Sequence, residues 1–439
     1  MSRDVLSWAV LAAICFATGA ARANPEPPAL YDARSAGMGG TGLASVENAT
    51  AAAHNPASLD GIENLSMTVA VAPLYPIMDV PFADPEGGDA IQYQNEPIAA
   101  PLFFVGAAGR VHDRVVLGLA AYAFSGIGAS YDGVAFGVDA DGDGVSDDRR
   151  LESMRLEAAM GEVTLPASIR INDELSVGAA VRLLYMLQRT NLYDPGDLSP
   201  LPAGRAEQFL DGFGFPGFMV GVRWAPTPSV RLAASYRSQV TLDLSGDTTL
   251  ELGSGMNPSD PIAGLVDGRT LRTQSTWTVP RALRFGAAYA LLEDRLNLTF
   301  ELKLQFHRKA NDVQRMHVYV PVGSSEVEQV QEVPLGWRDL VSLMTGGEYW
   351  VSARVPLRVG FGLGLSSTPS TAANPFMPPP GPTSLATVGS GYRFERFDLD
   401  FAFAYMHAGA RVARATATGA AGNYEVHALQ TSISLNYHN

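Results

Sequence analysis

Cysteine is nearly missing from this chain, with one residue, Cys15, in 439. That rules out a disulfide framework and any multi-cysteine metal site. Charge is sparse, at 17% of residues, and basic residues are outnumbered, 31 Lys and Arg against 45 Asp and Glu. A formal net charge of −14 argues against a nucleic-acid partner, whose phosphates would be repelled. The sequence also lacks G-x-S-x-G and H-E-x-x-H, and its seven histidines are scattered. The local signatures of the common enzymes are therefore missing, the chain is not expected to be an enzyme, and no cofactor is required. Beyond the N-terminus, no stretch approaches the ~20 apolar residues that a membrane-spanning helix requires. Disorder is excluded as well, since 9% aromatic residues and few charges suit a packed chain.

What the sequence does have begins with an export signal. Met1–Ser2–Arg3 is a short basic start, residues 5–20 form an apolar run, and Ala21–Arg22–Ala23 is a small-x-small cleavage site. Residues 1–23 are therefore read as a signal peptide, with Asn24 opening the mature chain. The run is short for a membrane anchor and is followed by Asn24–Pro25–Glu26–Pro27–Pro28. Ile14 before Cys15 is not the small residue that lipidation needs.

Alternation with period two dominates the rest, the mark of strands with one apolar face. Leu296, Leu298, Phe300, Leu302 and Leu304 share one face, and Asn297, Thr299, Glu301, Lys303 and Gln305 the other. Phe397, Leu399, Phe401, Phe403 and Tyr405 repeat the pattern, as do Leu429, Thr431, Ile433, Leu435 and Tyr437. Short turns fall at His112–Asp113, Asn172–Glu174, Ala225–Pro228, Glu293–Asp294, Ser352–Arg354 and Glu395–Arg396. Between them lie long Gly/Pro/Asp-rich segments near 74–100, 125–160, 188–214, 246–275, 308–336, 367–383 and 409–424. Six short turns and seven long loops join fourteen strands.

Strict alternation of short and long connections points to an all-β, 14-stranded antiparallel transmembrane β-barrel over residues 65–439. Open sheet edges are not tolerated in hydrocarbon, so the sheet must close. Outer-membrane barrels have short periplasmic turns, long external loops and aromatic girdles. Trp224, Trp277, Trp337, Trp350, Tyr392 and Tyr437 are assigned to those girdles. A secreted β-sandwich also alternates, but needs no such regularity of connections. Residues 24–64 are rich in Ala, Gly and Asn without alternation, which suits an N-terminal hatch plugging the lumen, or a flexible periplasmic arm.

The stretch Ala33–Arg34–Ser35–Ala36–Gly37–Met38–Gly39–Gly40–Thr41–Gly42–Leu43–Ala44, followed by Asn55–Pro56–Ala57–Ser58–Leu59, resembles the hatch of the long-chain fatty-acid transporter family of outer-membrane barrels (FadL/TodX-type). Tyr236–Arg237–Ser238, residues 280–286, Gly347–Glu348–Tyr349, residues 357–362 and residues 391–394 extend the resemblance along the chain. It departs in ending on Asn439 rather than an aromatic residue, and its loops share no obvious sequence with the fatty-acid members.

The resemblance implies a monomer among outer-membrane lipid and lipopolysaccharide. It would take up fatty acids or other hydrophobic small molecules passively, with hatch gating and lateral release into the bilayer. Gly39, Gly40, Asn55 and Pro56 are then the hatch and gating candidates. A general porin or adhesin-like barrel is the alternative, and a barrel-embedded lipid hydrolase a second.

Gly37, Gly39 and Gly42 also fit G-x-G-x-x-G, but an exported chain lacks the strand–turn–helix setting of a dinucleotide site. Arg237, Arg284 and Lys303 fall on the polar, inward face, where each either meets a ligand carboxylate or pairs with a luminal acid such as Glu301. Asp139, Asp141, Asp143 and Asp147 follow D-x-D-x-D-G, the opening of a calcium loop. Arg150 stands where an EF-hand has its bidentate Glu, so the readings are a shorter structural Ca2+ loop or a solvated acidic one. Leu151, Met154 and Leu156 either form an apolar capture surface or pack against a neighbouring loop.

Overall fold

The structure is a computed structural model that describes residues 30–138, 148–194, 204–252, 267–322, 324–416 and 419–439. The expected signal peptide and the acidic positions Asp139, Asp141, Asp143 and Asp147 lie outside the described residues. After an irregular segment, the chain enters β1 (Leu65–Phe82), β2 (Ile91–Gln94), β3 (Ala100–His112), β4 (Val115–Val138), β5 (Asp148–Arg170) and β6 (Leu175–Asp194). Next come β7 (Gly204–Thr227), β8 (Val230–Arg237), β9 (Val240–Leu252), β10 (Arg269–Val279), β11 (Ala282–Leu291) and β12 (Leu296–Gln305). The series ends with β13 (Val313–Val322), β14 (Ser325–Pro334), β15 (Leu340–Ser352), β16 (Val355–Gly364), β17 (Thr383–Arg393), β18 (Phe397–Val412) and β19 (Gly422–His438).

These segments form one antiparallel sheet that closes on itself. β1 pairs with β3 along one edge and with the last strand, β19, along the other. β8 and β9 are two halves of one wall strand, interrupted at Ser238–Gln239, and both pair with β7. β11 and β10 are likewise one strand, broken at Pro280–Arg281. β2 only extends the top of β1, and β13 with β14 forms a hairpin rising beside β10. The ring therefore has fourteen wall strands. No described helix is long and apolar enough to cross a membrane.

The six short turns lie together at one end, the periplasmic end by the barrel rule. Above them the outer face is apolar. β16 presents Leu357, Val359, Phe361 and Leu363, and β1 presents Leu65, Met67, Val69 and Val71, all exposed. A strand needs only ~9–11 residues to cross the bilayer, yet β4 and β7 have 24 each. The surplus stands outside the membrane, and the outward residues of β5 accordingly change from Val163 and Leu165 to Glu157, Arg155 and Ser153.

Three expectations need correction here. Much of the segments 125–160 and 188–214 is strand rather than loop, because the alternation continues through their Gly-rich stretches. Leu151 and Met154 do not share a surface: Leu151 is exposed on the outer face of β5, whereas Met154 and Leu156 are buried on its inner face. Trp277 and Trp337 are not girdle residues, being 1% exposed within the barrel. Trp224 and Tyr392 are exposed at the periplasmic end, where a girdle belongs.

Candidate functional site

Residues 30–64 fold inside the periplasmic half of the barrel. Asp32 caps a short helix, Ala33–Gly37, by accepting from the Ser35 N–H at 2.9 Å. A second helix, Ala51–His54, leads into a 3₁₀ turn, Pro56–Gly61, with proline at its first position. Proline fits there because its missing N–H would go unused. The His54 ring lies 3.7 Å from the Asp32 carboxylate. Burial alone would raise the Asp32 pKa, but His54 and the Ser35 donors hold it down, to about 2.

The segment touches the wall backbone to backbone, at glycines. Gly360 and Gly346 face Gly39 and Met38 so closely that any Cβ would collide with their main chain. Gly221 gives the same room to the Asn55 side chain, and Gly178 to the Pro56–Ala57 peptide. Gly39 and Gly40 adopt φ of 71° and 80°, a region that disfavours side chains. That turn lets the Gly39 N–H donate to Thr387 Oγ1 at 3.0 Å. Of the gating candidates, Gly39 and Gly40 thus form the tight turn and Asn55 a bridge, its Nδ2 donating to Val222 O of β7 at 3.1 Å. Pro56 starts the 3₁₀ turn.

Ion pairs complete the seating. Arg34 donates twice to Glu348, which also accepts from Arg358, and Arg358 donates on to Asp400. The Glu301 carboxylate accepts from the Gly42 and Leu43 N–H groups, both at 3.2 Å, and from Arg284 at 2.6 Å. Asp60 accepts from Arg170 and from Ser176. Burial raises the Asp60 pKa, but these donors and the Arg110 charge leave it lowered.

The lumen above is layered, and β6 shows the order: Arg182, then Leu184 and Met186, then Gln188 and Thr190, all buried. In the lowest layer Glu162 accepts from Arg182 at 2.7 Å, Arg237 at 2.6 Å and Tyr122 at 2.6 Å. The middle layer is apolar, made by Met160, Leu184, Met186, Leu210, Leu242, Leu244, Trp277 and Trp337. In the upper layer Gln188, Gln208, Thr248 and Thr273 hydrogen-bond in series across β6, β7, β9 and β10.

Of the expected ligand cations, Arg237, Arg284 and Lys303 are all buried and inward. Arg237 and Arg284 are engaged with Glu162 and Glu301, the pairing expected of luminal cations facing acids. The sequence reading missed Glu162, because its partners lie on other strands, and missed Trp277 and Trp337 as luminal residues. Period two at Trp277 with buried Ser275 and Val279 was the available signal. Among the described residues, no group of three or more His, Cys, Asp or Glu could hold a metal ion.

The wall has a weak seam near the upper edge of the apolar belt. β3 pairs with β1 from Ala100 onward, but with β4 only from Phe104 opposite Tyr122. Among the described residues, β3 makes no pairing with Ala123–Ala129 of β4. Gly126 and Gly128 lie in that stretch. Inside it, Tyr31 of the hatch packs 5.1 Å from Tyr122, which stacks on Phe104 at 5.8 Å.

A family model described as outer membrane protein transport protein (OMPP1/FadL/TodX) matches residues 14–438. No curated protein sequence matches the chain. Among solved structures, a Pseudomonas aeruginosa FadL homologue is 18% identical, covers 93% of this chain and 98% of its own, and superposes with a TM-score of 0.73. The Pseudomonas putida toluene transporter TodX is 16% identical over 93% of this chain and 98% of its own, with a TM-score of 0.70. The Ralstonia pickettii toluene transporter TbuX is 19% identical over 94% and 99%, with a TM-score of 0.69. At these identities the likeness establishes the shared barrel.

Proposed function

The chain belongs to the outer membrane protein transport family (OMPP1/FadL/TodX), and from that premise we propose that it passes uncharged hydrophobic molecules, monoaromatic compounds among them, across the outer membrane without energy input. The apolar middle layer above an ion-paired floor carries this reading. A general pore needs a polar, wet lumen, whereas this layer offers Leu, Met and Trp side chains to a solute that water rejects. Names of the structural neighbours, two toluene transporters among them, agree with it.

Release is lateral, between β3 and β4, where the backbone ladder is already open and Tyr31 of the hatch packs with Tyr122 and Phe104 on the inside. The hatch then shifts rather than leaves, and the solute moves downhill into the bilayer. Long-chain fatty acids are the second reading. A carboxylate would have to compete with Glu162 and Glu301 for Arg237 and Arg284, and for that reason uncharged solutes are favoured.

The test compares uptake of radiolabelled toluene and of a labelled long-chain fatty acid by cells with and without the protein, alongside single-channel conductance of the purified barrel. Toluene uptake with little conductance is expected. Stable large conductance without uptake of either solute overturns the reading and favours a porin. Fatty acid released from added phospholipid would instead favour the hydrolase.

A further inference from the structure

Resting on that transport reading, we propose that Trp277 and Trp337 form a hydrogen-bonding subsite for the acceptor oxygen of an otherwise apolar, uncharged ligand. Both indoles are 1% exposed, and among the described residues neither Nε1–H has a hydrogen-bond partner. Indole nitrogen only donates. A buried donor left unmatched destabilises the fold, and native interiors keep few of them. Here two sit together, with ring centroids 5.9 Å apart and planes at 79°. The His307 ring packs edge-on against Trp337 at 5.3 Å.

The position suits a solute path. Trp277 is on the wall, one inward residue above Val279 and directly opposite Leu242 of β9. Trp337 comes from the segment returning from β14 to β15, pinned by Leu335 N–H to Asp312 O at 2.7 Å and by Arg338 N–H to Ser367 O at 2.9 Å. The pair therefore brackets a junction between wall and returning segment, level with the strand breaks at Ser238–Gln239, Pro280–Arg281 and after Gln305.

The surroundings select the ligand class. Leu242, Leu244, Leu335 and Val279 belong to the same apolar cluster as the two indoles, and the cations Arg182 and Arg237, paired with Glu162, lie in the layer below. Two donors without an accompanying free charge match a ketone, aldehyde, ester or ether oxygen better than a carboxylate. A hydrocarbon would fill the same space and leave both N–H groups unmatched. The barrel thus discriminates between hydrophobic solutes of similar size by a single oxygen atom.

The experiment measures binding of acetophenone and of cumene, its near-isostere without the oxygen, to the full-length barrel in detergent by titration calorimetry. Acetophenone is expected to bind roughly tenfold more tightly, the effect of a net hydrogen bond of ~1.4 kcal/mol. W277F and W337F keep an aromatic ring and remove the donor, and each should lower acetophenone affinity several-fold while leaving cumene unchanged. Heat-modifiable migration on gels confirms that each variant is folded. Equal affinities in the parent protein, or equal losses for both probes in the variants, overturn the proposal. Toluene uptake reads the transport reading separately: uptake intact with no discrimination sinks the subsite alone, and discrimination intact with no uptake sinks transport alone.

Discussion

Glu162 holds two guanidinium groups and a phenol in a space closed to water. Taking away its charge removes the carboxylate that the buried Arg182 and Arg237 share, and breaking a buried pair typically costs ~3–5 kcal/mol. E162Q should therefore lower the urea midpoint of the micellar barrel, whereas E157Q, on the outer face, should change it little. Asp60 behaves differently, because it is part of the hatch and its carboxyl pKa is lowered. Its bonds to Arg170 and Ser176 hold fully above the ordinary value of 3.8 and weaken as the pH falls through the lower folded value. Pepsin should cut residues 30–64 sparingly at pH 4 and increasingly toward pH 2, and D60N should make the cleavage less dependent on pH. At this scale the sequence placed Arg237 and Arg284 inward correctly, since alternation decides the face of a strand. It left open which acid each one meets, because Glu162 and Arg237 are 75 positions apart.

The hatch is a short element with little helix of its own, and its shape comes from what it leans on. Thr41 Oγ1 and Thr299 Oγ1 stand 2.6 Å apart across the hatch–wall boundary, a spacing that suits a disulfide between the corresponding cysteines. Oxidised T41C/T299C should lose solute uptake and regain it on reduction. Uptake unaffected by oxidation would show that the hatch need not move. At Gly221 the room is taken by Asn55, so G221L should loosen the hatch and raise single-channel conductance. These contacts were not legible beforehand. A glycine in a strand announces itself in sequence, but its reason sits on a segment more than a hundred residues away. Strand length was also underestimated, because turn-rich composition masked the continuing alternation of β4 and β5.

The whole barrel combines a lipid-facing apolar belt with a lumen whose polarity changes by layer. Closure and strand number followed from the rhythm of short and long connections. The luminal layers did not, because they arise from side chains gathered at one height from strands distant in sequence. If solutes leave through the β3–β4 seam, G126L should block it, since a Cβ at Gly126 already comes within 3.2 Å of Ala100. Toluene uptake by cells carrying G126L should fall several-fold while conductance stays low; undiminished uptake would place the exit elsewhere.

The described part of the hatch begins against the strand that finishes the barrel. Leu30 O accepts from Gln430 and the Ala33 N–H donates to Ser434, both on β19. The earliest described residues thus wait for the latest part of the chain to arrive. During assembly the segment cannot take its final place until the first and last strands have met, so an incomplete cylinder is also an unstoppered one. The closing of the wall and the sealing of the hole become a single event, and the membrane's permeability then records whether assembly has finished.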